Sequence, residues 1–123
     1  MADVNEYFMN KWYYDNIYKK HQHKQSLLWV DDLRGIPNNY IGEYNTRIAH
    51  NYKEAIYALN NITFDIICLD HDLGEEKTGY DICKYMLEHK IRCKEVRIHT
   101  RNPVGRQNMI QLLRHYGYYV TYM

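Results

Sequence analysis

The sequence predicts a single α/β domain whose five parallel strands form a doubly wound sheet in the order 2-1-3-4-5, with an extra helix at the N-terminus. Two features of the 123-residue chain carry this prediction. Short apolar runs alternate with segments of helical periodicity, a pattern typical of parallel sheets built from β-α-β units. Three of the apolar runs end in polar clusters, and the carboxyl ends of parallel strands form the ligand crevice of such sheets. We therefore expect these polar residues to meet in one site.

The chain begins with a predicted helix. Residues 5–20 have the spacing of an amphipathic helix, with apolar side chains at Phe8, Trp12 and Ile17. This helix belongs to an N-terminal helical extension, residues 1–25, which precedes an α/β domain over residues 26–123.

Two strands and a helix follow in the first half of the domain. Strand one is predicted at residues 26–31. Residues 33–45 are rich in Gly, Pro and Asn, so we predict a long loop where a helix would be expected to follow strand one. A short strand near residues 46–49 leads into a helix at about 51–60.

The second half of the domain contains two helices with well-marked ends. Thr78 and Asp81 have the spacing of a capping box at the start of one helix. Asn102 as N-cap and Pro103 at the first helical position mark the start of the next, which ends at Gly117. The three remaining strands are predicted at residues 64–70, 95–100 and 118–122.

Composition limits the class of protein. The chain has 16 Lys and Arg against 15 Asp and Glu and no dense basic stripe, which disfavours binding to duplex nucleic acid. No apolar run approaches the length that crosses a bilayer, so we expect no membrane partner. Three cysteines, an odd number without metal-ligand spacing, favour a reduced cytoplasmic protein. Acidic residues are in excess over positions 1–87 and basic ones over 88–123, which suits an acidic half facing an anion-binding half, although chance accounts for it equally well.

Four aspartates form the candidate metal site. Asp31 and Asp32 follow strand one, and Asp70 and Asp72 follow strand three. Carboxylates at neighbouring strand ends repel one another unless a cation or protons neutralise them, and a hard divalent cation such as Mg²⁺ or Mn²⁺ suits these oxygens. The alternative is that one aspartate caps a turn while the others are solvated.

A candidate anion site lies at the start of the last helix. Its unpaired amides and positive dipole end attract phosphate, Gly105 lets a ligand approach the backbone, and Arg106 can contact two phosphate oxygens. We include Arg101, Asn102 and, from the first strand end, Arg34 among the phosphate-binding residues. The alternative is an ordinary capped helix.

Two histidines at adjacent strand ends, His71 and His99, are candidates for proton transfer. The ordinary pKa of an imidazole lies near neutral pH, so a pair of them on either side of a phosphate can act as general base and general acid. A hydrogen-bonded structural role is the alternative for each. His50, His89 and His115 have no implied partner and are expected at the surface.

Four segments in this order resemble the cyclic-phosphate-processing receiver-like domain family, a relative of the response-regulator receiver fold. They are LWVDDLR at 28–34, LDHDLG at 69–74, TGYD at 78–81 and HTRNPVGRQNM at 99–109. The similarity extends over about residues 27–120. It implies a receiver-like, flavodoxin-like fold and a protein that acts on cyclic phosphates. It matches three aspartates to the receiver acidic pocket, Asp31, Asp32 and Asp70. It matches five residues to the family's own additions, His71, Asp72, His99, Asn102 and Arg106.

The chain also departs from the receiver pattern. A receiver keeps a lysine after its fifth strand to hold an aspartyl phosphate, whereas residues 118–123 contain none and no helix follows them. We therefore do not expect phosphorelay signalling. The predicted loop at 33–45 also replaces a helix, which leaves apolar sheet to be covered by the aromatic segment 5–20 or by pairing of that segment in a homodimer.

Three functions fit these observations. The leading one is a metal-assisted phosphoesterase that opens the cyclic phosphate of a nucleotide or RNA end, with His71, His99 and Asp70 as catalytic residues. A receiver with Asp70 as phosphate acceptor is the second. The third is a module that binds a phosphate or cyclic nucleotide without converting it.

Overall fold

The computed structural model describes Trp12 and residues 24–123. The predicted helix at 5–20, and with it the dimer expected to form through that helix, lies outside the described residues apart from Trp12. In the described part of the chain, no helix is long and apolar enough to cross a membrane.

Five parallel strands form one sheet in the order β2-β1-β3-β4-β5, which confirms the predicted topology. The strands are β1 (Ser26–Val30), β2 (Asn45–Ala49), β3 (Ile66–Leu69), β4 (Glu95–Ile98) and β5 (Val120–Tyr122). The helices are α1 (Asn38–Glu43), α2 (Tyr52–Asn61), α3 (Gly79–Glu88) and α4 (Pro103–His115).

The two faces of the sheet have different cores. Helices α2, α3 and α4 cover one face, where the strands contribute alternate residues such as Leu28, Val30 and Ile98 to the larger core. The other face carries a smaller cluster, which consists of Leu27, Trp29, Ile66 and Cys68 with Ile36, Tyr40 and Tyr44 packed against it. This alternation follows from the two-residue period of a strand, which points successive side chains to opposite faces.

The prediction of a long loop at 33–45 is wrong in its centre, where helix α1 forms. The helix has six residues, each of which keeps some exposure, and Pro37 precedes its first residue. Tyr40 anchors it by packing edge-on against Trp29, with 6.2 Å between the ring centroids. Its Asn- and Gly-rich sequence lacks helical periodicity, so the sequence does not predict it. The helix forms because this tertiary contact stabilises it.

The predicted third and fourth strands are too long at their carboxyl ends. Strand β3 ends at Leu69 and strand β4 at Ile98, so Asp70 and His99 lie just beyond the hydrogen-bonded ladder. Val30 pairs with Leu69, which pairs with Ile98, so the three strands end at the same level. The polar residues that follow them therefore start from one edge of the sheet.

Helix α3 begins where the sequence predicts. The backbone N–H of Thr78 donates to Asp81 Oδ2 at 2.8 Å, and the Thr78 hydroxyl donates to the same oxygen at 3.3 Å. The backbone N–H of Gly79 donates to the His71 carbonyl at 2.8 Å, which closes the loop between β3 and α3 at its base.

Replacing Asp81 by alanine should lower the free energy of unfolding by about 1 kcal/mol at neutral pH, the usual loss when a helix cap is removed. The hydrogen bond from the Thr78 backbone holds the pKa of Asp81 below its ordinary value. Its stabilisation is therefore complete above the unfolded-state pKa and is lost as the pH falls through the folded-state pKa. Urea unfolding at pH 7 and at acid pH checks this, with Glu88→Ala at the exposed end of the helix as control. Equal losses for both variants would contradict the prediction.

Candidate active site

Three carboxylates meet at the strand ends. Asp31 and Asp32 after β1 and Asp70 after β3 each offer an oxygen, and these oxygens all lie within 4.8 Å of one another. Asp31 and Asp70 are buried and Asp32 is half-buried. Burial raises the pKa of Asp70 above its ordinary value, and the charge of Asp31 adds to the rise against an opposing hydrogen bond from Thr100.

The residues of this group fit a hard divalent cation. Asp31 Oδ1 accepts hydrogen bonds from the backbone N–H groups of Leu33, at 2.9 Å, and Arg34, at 2.7 Å. Asp31 Oδ2 is buried and makes no hydrogen bond to any described residue. Arg34 Nε and His99 Nε2 are its nearest cation and imidazole contacts, at 3.4 and 3.3 Å. A buried carboxylate oxygen without a hydrogen bond is costly, and a cation held by the three carboxylates would offset that cost. The donor set, all oxygen, is the kind that Mg²⁺ and Mn²⁺ accept.

A cavity of about 420 Å³ opens over the three carboxylates. Its lining also includes Asp72, Leu33, Gly74, Thr100 and two arginines, Arg34 and Arg101. Among the described residues, neither His71 nor His99 lines this cavity. A groove of about 460 Å³ between β2 and α2 shares no residue with this lining.

Asp72 lies beside His71 and outside the group of three carboxylates. Asp72 Oδ1 is 2.9 Å from His71 Nδ1, and Asn102 Nδ2 is 3.4 Å from the same ring nitrogen. The fourth predicted metal ligand is therefore placed to orient a histidine. With Nδ1 facing Asp72, the ring nitrogen of His71 that can meet a substrate is Nε2.

Gly105 contacts the His71 ring closely. A Cβ added at Gly105 would lie 2.4 Å from His71 Cγ, so the space beside this glycine holds the imidazole. The amide of Gly105 donates to Asn102 Oδ1 at 2.9 Å, as expected of an N-cap. Gly105 therefore provides close packing that fixes His71 against helix α4, and the ligand approach at this glycine stays a prediction.

Gly79 has a similar role, which was not predicted from the sequence. A Cβ at this position would lie 2.0 Å from the Asp70 carbonyl oxygen, so helix α3 and the end of β3 approach to backbone contact. Only the absence of a side chain permits this approach. The glycine in TGYD is the signal that could have shown it.

His99 lies on the opposite face of the sheet from His71, stacked on Trp29. The ring centroids are 3.9 Å apart with 5° between the planes, and His99 is 3% exposed. Its Nε2 is 3.3 Å from Asp31 Oδ2. Burial lowers the pKa of His99 well below its ordinary value, against the opposing charge of Asp31. The two histidines thus have different surroundings, and their predicted roles as base and acid stay predictions.

Two of the three arginines predicted to bind phosphate, Arg34 and Arg101, line the cavity. Arg101 is exposed and lines the cavity. Arg34 also lines it, and its Nη2 donates to the His99 carbonyl at 2.8 Å while Nε lies 3.4 Å from Asp31 Oδ2. Arg106 lies over the ring of Tyr122, 5.7 Å from the centroid, and is not among the lining residues described.

Two further residues of the site, Trp29 and Thr100, are not evident from the sequence. Trp29 has the pattern of an apolar strand residue, and its contact with His99 depends on which face of the sheet each residue occupies. Thr100, which follows His99, is buried and lines the cavity, and its side chain opposes the rise in the pKa of Asp70. The surface histidines His50, His89 and His115 are exposed as predicted.

The fold is similar to that of solved receiver domains. A CheY-like response regulator receiver domain protein from Methanospirillum hungatei JF-1 has 16% identity over 80% of this chain and 81% of its own, with a TM-score of 0.62. The receiver domain of the Francisella response regulator 1452 has 19% identity over 72% and 78%, with a TM-score of 0.59. A Burkholderia pseudomallei response regulator with a phosphorylated aspartic acid, a calcium ion and citrate has 18% identity over 80% and 59%, with a TM-score of 0.56.

A family model matches most of the described chain. The model of the cyclic-phosphate processing receiver domain matches residues 26–115. This range extends from the start of β1 to the end of α4. No curated protein matches the chain.

Proposed function

Since this chain belongs to the cyclic-phosphate processing receiver domain family, we propose that it is a metal-assisted phosphoesterase that opens the cyclic phosphate of a nucleotide or RNA end. One observation supports the proposal above the others: three converging carboxylates and two arginines line one cavity, and Asp72, which also lines it, holds His71. A small cyclic nucleotide is the class of ligand that such a cavity suits. A cytoplasmic location follows from this class of ligand and is part of the proposal.

Asp31, Asp32 and Asp70 would hold Mg²⁺ or Mn²⁺. The bound cation would supply Lewis-acid polarisation of a phosphoryl oxygen. The solved Burkholderia pseudomallei protein, which contains a calcium ion, supports cation binding by this fold.

His71 is the residue that we propose for proton transfer. Hydrolysis of a cyclic phosphate forms one P–O bond to water and breaks one P–O bond of the ring, so a proton leaves the water and another reaches the departing oxygen. Nε2 of His71 can take or give such a proton, because Asp72 holds Nδ1 and the packing against Gly105 fixes the ring plane. Arg34 and Arg101, the two cations among the described lining residues, would bind the phosphate oxygens.

Arg101→Ala should weaken ligand binding more than Arg106→Ala. Arg101 lines the cavity, whereas Arg106 lies over Tyr122. Because a hydrogen bond to a charged group contributes about 1.5–3 kcal/mol, we expect KM to rise roughly tenfold or more for Arg101→Ala and to change little for Arg106→Ala. Steady-state kinetics or calorimetry with a cyclic nucleotide checks the difference. A larger effect at Arg106 would place the phosphate at the start of helix α4.

A turnover assay tests the proposed function. The purified chain is incubated with a panel of 2′,3′- and 3′,5′-cyclic mononucleotides, cyclic dinucleotides and RNA oligonucleotides with 2′,3′-cyclic ends, with Mg²⁺, with Mn²⁺ or with chelator. We expect conversion of at least one substrate that requires the cation. Binding without conversion of any substrate would instead support the capture module.

A phosphate-accepting receiver is the second candidate, and the buried Asp70 among three carboxylates favours it. The cavity lining formed by the described residues contains arginines and no lysine, and His71 adjoins Asp70 directly, which favours the phosphoesterase. We therefore expect acetyl phosphate or phosphoramidate to leave no stable aspartyl phosphate. Mass spectrometry that locates a phosphate on Asp70, lasting minutes after the donor is removed, would move the receiver function to first place.

A further inference from the structure

The stacked pair of Trp29 and His99 lies behind the carboxylate group, outside the described cavity lining. Both residues are 3% exposed, and their rings are nearly parallel, with 3.9 Å between the centroids. The stack fixes the plane of the imidazole. Its Nε2 consequently stays at one place, 3.3 Å from Asp31 Oδ2.

Arg34 connects the stack to Asp31 through the backbone. Trp29 Nε1 donates to the Arg34 carbonyl at 3.1 Å, and Arg34 Nη2 donates to the His99 carbonyl at 2.8 Å. Arg34 also donates its own backbone N–H to Asp31 Oδ1 at 2.7 Å. The strand ends after β1 and β4 are thereby held together, with the Asp31 carboxylate between them.

Three buried polar atoms in this arrangement make no hydrogen bond to any described residue. These atoms are Asp31 Oδ2, His99 Nδ1 and His99 Nε2. Nε2 and Oδ2 face each other at a distance slightly beyond a good hydrogen bond. A small movement of the carboxylate would complete that bond. A cation that attracts the other carboxylates would favour such an ordered arrangement.

We propose that His99 is a positioning residue that orients Asp31 towards the bound cation, and that Trp29 fixes the His99 ring for this task. A histidine that holds a ligating carboxylate is an outer-shell partner, and the loss of such a partner typically lowers metal affinity 10–100-fold. This role rests on the proposed function, because it presumes that the three carboxylates hold a cation.

Burial and location argue against direct contact between His99 and substrate. The ring is enclosed between Trp29 and Asp31 and is not part of the described cavity lining. His71 differs, because its ring adjoins Asp72, which does line the cavity. The two histidines of the family pattern would then serve the reaction in different ways.

Calorimetric titration with Mn²⁺ alone tests this role. His99→Phe keeps a flat ring on Trp29 and removes both nitrogens, whereas His99→Gln places an amide nitrogen near the position of Nε2. The matched control is His89→Phe, since His89 is also stacked on an aromatic ring, that of Tyr85, but lies exposed at the end of α3. Urea unfolding without cation is measured in parallel.

We expect His99→Phe to bind Mn²⁺ at least tenfold more weakly than the wild type, while its stability without cation is unchanged or higher. A purely structural role would not separate the two readouts in this way. His99→Gln should recover part of the affinity, and His89→Phe should bind like the wild type. If His99→Phe does not fold, His99→Met takes its place in the comparison with His99→Gln.

Mn²⁺ affinity within twofold of the wild type in His99→Phe would overturn the proposal, as would equal losses in the Phe and Gln variants. A wild type that binds no Mn²⁺ would overturn both this role and the metal-assisted mechanism. Affinity that depends on His99 in a protein that converts no cyclic phosphate would leave the role standing and overturn only the proposed function.

Discussion

His71→Ala is expected to lower the rate of cyclic phosphate opening by roughly a hundredfold or more, which is the typical contribution of a positioned proton-transfer group. Ligand affinity should stay within a few fold, because the proposed phosphate contacts come from other residues. The measurement is kcat and KM on the best substrate of the panel at saturating Mn²⁺. Asp72→Asn should cause a smaller fall in kcat, since it weakens the support of His71 Nδ1 while the imidazole remains.

The matched control for this prediction is His115→Ala. His115 is exposed at the end of helix α4, so its loss should leave kcat unchanged. Conversion at the wild-type rate in His71→Ala would show that His71 transfers no proton in a rate-limiting step. The proton transfers would then have to be assigned to water and the bound cation.

Divalent cation is expected to raise the melting temperature of the wild type, and Asp70→Asn should abolish that rise. A cation at one hundred times its dissociation constant stabilises a folded protein by about 2.7 kcal/mol. For a domain of this size, such stabilisation corresponds to a shift of several degrees. Thermal unfolding with and without Mg²⁺ or Mn²⁺ measures it.

Without cation, Asp70→Asn should melt at a higher temperature than the wild type. Burial and the charge of Asp31 raise the pKa of Asp70, so the folded protein disfavours its ionised form. At neutral pH this carboxylate therefore lowers the stability of the cation-free fold, and a neutral amide removes the effect. The control is Glu76→Gln, an exposed acidic residue of the β3–α3 loop. A cation-dependent rise that survives in Asp70→Asn would locate the cation elsewhere.

Much of the fold could be predicted from the sequence because local signals agreed with the tertiary structure. The cap of α3 at Thr78 and the Asn102-Pro103 start of α4 are local chemistry, and both are present as predicted. The convergence of the three aspartates followed from the topology, since parallel strands of one sheet end at one edge. Helix α1 lacked such a signal because it depends on a contact between Tyr40 and Trp29.

The surroundings of the two histidines were harder to predict. Each follows a strand, but His71 continues the face of Leu69 while His99 continues the face of Arg97, so they diverge to opposite sides of the sheet. Side chains alternate between the two faces along each strand, which indicates the face of each histidine. This alternation holds only as far as the strand continues, so the prediction depends on where each strand ends. Burial of His99 depends further on the large side chain of Trp29, which no pattern within β4 could indicate.

The hydrogen bond between the Gly79 amide and the His71 carbonyl has a consequence for how this site can vary in evolution. It closes the loop of residues 72–78 at its base, so the loop leaves the sheet and returns to helix α3 at nearly the same point. Lengthening a loop whose ends are already joined costs little additional entropy. Insertions near Glu76 could therefore change the rim of the cavity, and with it the range of accepted ligands, while the carboxylates and His71 keep their positions.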